Sequence, residues 1–60
     1  MIPTDITDFT EGYADAEEDL LQDDFNLTEI FNLLKHCKTL DHYEQGYLLR
    51  LKEEDERLNQ

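Results

Sequence analysis

Ile6, Phe9, Tyr13, Ala16 and Leu20 recur at intervals of 3, 4, 3 and 4 residues. That spacing puts all five on one stripe of an α-helix, since successive residues turn by about 100°. The same reading extends through the chain. Leu27, Ile30, Phe31, Leu34 and Cys37 form a second stripe, widened by Leu33. Leu40, Tyr43, Tyr47, Leu51 and Leu58 form a narrower third, flanked by Leu48. The expected fold is therefore all-α, a small three-helix domain spanning residues 1–60. Its helices are expected over about 4–22, 27–38 and 41–57.

Local signals place the ends of these helices. Thr4 or Thr7 can cap the first, with Pro3 just outside it. Gly12 lies in its interior, where glycine costs up to about 1 kcal/mol relative to alanine. Asn26 with Glu29, and Asp41 with Glu44, have the capping-box spacing that opens the second and third helices. Lys35 and Lys38 suit the negative end of the second helix dipole. The short Asp23-Asp24-Phe25 connection favours an antiparallel hairpin of the first two helices. The third then packs beside them and partly projects, its charged end supported by Glu53–Arg57 and Lys52–Glu56 pairs.

Charge is distributed unevenly over this framework. The first 34 residues carry ten carboxylates and no lysine or arginine, and the whole chain has a net charge of −11. Such asymmetry adds self-repulsion to the compact state, so a basic partner is the natural expectation. Rotating the first helix brings Asp8, Glu11, Asp15, Glu18 and Asp19 within an arc of about 100°, nearly opposite the apolar stripe. These five carboxylates line about 16 Å of helix, with neighbours about 5–6 Å apart. No lysine one turn away relieves them.

A 60-residue chain buries only about 60% of its unfolded surface and usually relies on disulfides, metals or association. One cysteine cannot form an internal disulfide, and a single thiol fits a reducing, cytoplasmic setting. Residues 1–10 lack the basic and apolar regions of a signal peptide, and no apolar run reaches the ~20 residues of a membrane span. The negative surface disfavours direct contact with anionic headgroups or nucleic acid. Association is the remaining aid, and a homodimer through the third helix is one form of it.

The motifs of chemistry are missing. A calcium loop counted from Asp15 has Leu20 and Asn26 where glycine and glutamate are required. His36, Cys37 and His42 are too few for a tetrahedral zinc site, and Cys37 reads as a buried structural residue of the apolar stripe. No phosphate-cradling loop is present. No catalytic site, metal or cofactor is expected.

Two function classes remain. In the first, the acidic face of Asp8, Glu11, Asp15, Glu18 and Asp19 occupies a basic, nucleic-acid-binding surface of another protein. Its carboxylate spacing approximates the about 6–7 Å between successive phosphates. In size, charge and lack of motifs the chain resembles the general class of phage-encoded acidic inhibitors, including DNA mimics and anti-CRISPR proteins. That resemblance implies action on a nucleic-acid-handling enzyme or complex in a bacterial host cell. In the second class, the chain is a helical assembly, adaptor or antitoxin-like module. It would then associate with itself or a partner through Tyr43, Tyr47, Leu48, Leu49 and Leu51.

Overall fold

The computed structural model describes residues 4–59, with side chains from Ile6 onward. Three helices make up the fold: α1 (Thr4–Asp19), α2 (Leu27–Lys35) and α3 (His42–Leu58). The all-α, three-helix expectation holds. α1 is helical from Thr4, so Thr4 and Thr7 both lie within the helix rather than at its cap, and Pro3 lies outside the described residues.

The other two helix starts follow from their caps. Asp41 Oδ1 accepts the Glu44 backbone N–H at 2.8 Å, and Glu44 Oε1 accepts the Asp41 backbone N–H at 3.2 Å. Both arms of the capping box are thus made. At α2, Asn26 Oδ1 accepts from Glu29 N at 3.0 Å. The Asn26 side-chain amide also donates to Glu29 Oε2 at 3.3 Å, a bond between side chains, so the forward arm of the box is the one seen at α2. Two helices stop earlier than expected. α1 gives way to a turn at Leu20, and α2 ends at Lys35, with His36 as its C-cap.

The pairing of the helices differs from the hairpin expectation. α3 packs against both α1 and α2, whereas α1 and α2 share no contact among the described residues. The reason lies in the two glycines, which contribute nothing to an apolar stripe. A Cβ placed on Gly12 would stand 1.9 Å from the Tyr43 carbonyl oxygen, and one on Gly46 would stand 2.0 Å from the Phe9 carbonyl oxygen. α1 and α3 therefore meet backbone to backbone, a proximity that only residues without a side chain permit. Gly12 and Gly46 are buried, and the neighbouring Ala16 and Leu51 are fully enclosed.

This crossing rotates α1 relative to the orientation its large apolar residues imply. Gly12 lies about 60° around the helix from Phe9, on the side of the carboxylates. The buried line thus runs through Gly12 and Ala16, and Ile6 at the far edge of the stripe remains 57% exposed. Cys37, read from spacing as a buried residue, is exposed. It falls beyond the end of α2, so the helical register that would turn it inward no longer applies. Its thiol donates to the Leu33 carbonyl at 3.3 Å.

Candidate partner-binding surface

The rotation of α1 divides the five carboxylates of its acidic face. Asp15 and Asp19 reach the edge of the α1–α3 seam. Asp15 accepts the Tyr43 hydroxyl, and Asp19 Oδ2 accepts the Tyr47 hydroxyl at 2.5 Å. Across the same seam, Tyr13 donates to Glu53 Oε1 at 2.5 Å. Three tyrosines thus tie α1 to α3, each through a charge-assisted hydrogen bond. The Tyr43 and Tyr47 rings are stacked, with centroids 6.5 Å apart and planes inclined by 24°.

These bonds hold the tyrosine protons in place. The hydrogen bond to Asp15, reinforced by desolvation, pushes the Tyr43 phenol up to about 12. For Tyr47, burial is the larger cause and the Asp19 bond the second, and both raise it. Tyr13 is raised chiefly by its bond to Glu53. The phenols therefore remain neutral donors around neutral pH and take no charge from the acids they contact.

Asp8, Glu11 and Glu18 have no ion-pair partner among the described residues. From Asp8 to Glu18 is ten rise steps of α1, about 15 Å at 1.5 Å each. Glu11, Asp15 and Glu18 are exposed, and Asp8 and Asp19 are half-buried. Asp23 and Asp24, exposed in the turn after α1, add to the negative charge of this region.

Two arginines neutralise a different flank. Arg50 lies 3.7 Å from Glu17 of α1 and 3.3 Å from Glu54. Arg57 also pairs with Glu54, whose carboxyl these guanidiniums, Arg57 foremost, hold below its usual range. The expected Glu53–Arg57 pair is replaced, because Glu53 accepts from Tyr13 and Arg57 turns to Glu54. The acid-binding cations thus gather at Glu17 and Glu54, leaving the flank of Asp8, Glu11 and Glu18 uncompensated.

The apolar candidates are dispersed. Leu51 is completely buried in the fold and presents no surface. Tyr43, Tyr47 and Leu48 are half-buried, and Leu49 is 38% exposed on the outer side of α3. Sequence spacing did not single out the open groove between α2 and α3, a volume of about 340 Å³ lined by Ile30, Leu33, Leu34, Tyr43, Glu44 and Tyr47. Leu33, which widened the α2 stripe, projects at its edge with 61% exposure.

Among the described residues no group of three or more His, Cys, Asp or Glu side chains is arranged to hold a metal ion. None of the described helices is long and apolar enough to cross a membrane. Comparison with protein-family models, curated proteins and solved structures finds no match to this chain.

Proposed function

We propose that this chain is a small acidic inhibitor or regulator that occupies a basic, nucleic-acid-binding surface of a partner protein. The observation that supports the reading is the uncompensated flank of α1. Asp8, Glu11 and Glu18 stand without ion pairs on a helix whose sequence neighbourhood contains no lysine or arginine. Such a surface steers a cationic groove toward itself and releases the counterions held there. The tyrosine bonds and the glycine crossing fix α1 on α3, so the carboxylates are presented without the entropy loss of ordering a free helix on binding. Action of this kind would resemble that of phage-encoded inhibitors, DNA mimics and anti-CRISPR proteins included, and would be exercised in the cytoplasm of a bacterial host.

A second reading, an adaptor or antitoxin-like module, draws on the exposure of Leu21, Leu33, Leu49 and Leu58. A homodimer through Leu49 is compatible with either and sets two acidic faces side by side.

Capture from a bacterial lysate on the tagged protein, with elution in salt steps, tests the first reading. The critical variant changes Asp8, Glu11 and Glu18 to lysine. Asp15 and Asp19 stay, because they hold Tyr43 and Tyr47. A nucleic-acid-handling protein eluting at moderate salt and lost with the variant is the expected result. A partner retained at high salt and indifferent to the three substitutions overturns the reading in favour of the apolar surface.

A further inference from the structure

We propose that the groove between α2 and α3 receives the apolar stripe of a basic amphipathic helix of the partner. The inference deepens the reading above, on which it rests for the basic character of that partner.

The groove is apolar along its floor, and the charged residue at its rim is Glu44. Ile30, Leu33 and Leu34 of α2 face Tyr43 and Tyr47 of α3 across a volume of about 340 Å³. Both tyrosines extend from this groove to the acidic helix, where their hydroxyls bond Asp15 and Asp19. Two carboxylates of α1 therefore stand one tyrosine side chain from the apolar floor. Glu44 contributes a third carboxylate from the wall itself. No lysine or arginine lines the groove, and Lys35, the nearest cation in α2, lies over the Phe31 ring at 5.8 Å from its centroid.

Charge complementarity selects the occupant. An acidic segment would meet Glu44 at the rim, and the charges of Asp15 and Asp19 beyond the tyrosine hydroxyls, with no lysine or arginine in the lining to offset them. A second copy of this chain, at net charge −11, would bring like charge to the same place. A helix with leucine-type anchors at i, i+3, i+4 and i+7 and lysine or arginine beside them satisfies both floor and rim. Leu33, 61% exposed in the isolated chain, is the side chain such a helix would cover.

The probe is a synthetic helical peptide of leucine and lysine with that spacing, alongside a scrambled peptide of the same composition. Binding is read by fluorescence anisotropy at low and high salt. The ordered peptide is expected to bind at least about tenfold more tightly than the scrambled one. Leu33→Asp abolishes that difference, and high salt weakens the ordered complex. Because Leu33 is exposed, the variant keeps its fold, which circular dichroism verifies. Equal binding of both peptides, unaffected by Leu33→Asp, overturns the groove and leaves the acidic flank standing. Binding of the ordered peptide that ignores salt overturns the role of the rim. Sedimentation showing a dimer dispersed by Leu33→Asp assigns the groove to a second copy and also overturns the proposal. Failure of the mimicry reading appears separately, as partner capture indifferent to the lysine substitutions at Asp8, Glu11 and Glu18.

Discussion

Replacing Gly12 by alanine sets two effects of opposite sign against each other. In a solvent-exposed helix position the change is favourable by about 1 kcal/mol, because alanine loses less backbone entropy. Here the new Cβ would lie 1.9 Å from the Tyr43 carbonyl oxygen and 2.8 Å from its carbon. Both obstacles are main-chain atoms of α3 and cannot rotate aside. Restoring ordinary contact requires α1 and α3 to separate by about 1.5 Å, and forcing extra volume into packed positions costs about 1–3 kcal/mol. Separation also draws the Tyr43 and Tyr47 hydroxyls away from Asp15 and Asp19, a further loss of about 0.5–1 kcal/mol each after allowing for solvent. The net expectation is destabilisation by about 2–3 kcal/mol, within the range of disruptive core substitutions. A domain of this size has only about 3–9 kcal/mol in total. Urea unfolding followed by far-ultraviolet circular dichroism measures the change, and Ala14→Gly on the exposed side of α1 calibrates the helix-propensity contribution. A higher unfolding midpoint for Gly12→Ala would refute the backbone-to-backbone crossing and, with it, the orientation of the acidic face.

Other expectations follow from the same contacts. The raised phenols of Tyr13, Tyr43 and Tyr47 bind their protons more tightly in the folded than in the unfolded chain. Their stabilisation is therefore complete below pH 10 and falls as the pH rises from there through about 12, the value for Tyr43. Urea midpoints across this range, with tyrosinate absorbance as a second readout, should decline together, and a flat midpoint would contradict the tyrosine–carboxylate bonds. Leu51→Ala should cost about 2–5 kcal/mol, enough to leave the domain largely unfolded, as circular dichroism would show. Cys37 should react with a thiol reagent in native protein almost as fast as in urea, because it is exposed. Protection of the thiol would show that α2 continues and turns it inward.

The parts of the fold that were legible in sequence are those governed by local chemistry. Asn26 and Asp41 sit at the two helix starts their side chains imply, and the 3,4 spacing identified three helices. The pairing of helices was not legible in this way. Hydropathy weights Phe9, Tyr13 and Leu20 and gives Gly12 no weight, yet the closest approach is made where side chains are absent. The connection rule added to the error, because a short loop between α1 and α2 suggests neighbours without requiring contact. Asp15 and Asp19 were placed correctly on the acidic face, but their bonds to Tyr43 and Tyr47 bridge 28 residues. A residue count within one helix carries no such information. The signal available was the coincidence of a glycine in α1 with a glycine beside two tyrosines in α3, a pairing that permits close approach of helices.

Competition between the chain and duplex DNA for the same captured partner tests mimicry most directly. With the partner bound to the immobilised protein, added duplex should release it, and prior saturation of the partner with duplex should prevent capture. Substitution of Asp8, Glu11 and Glu18 by lysine should abolish capture and leave the partner's own DNA binding intact. A ternary complex holding chain, partner and duplex together would contradict occupation of the nucleic-acid-binding surface.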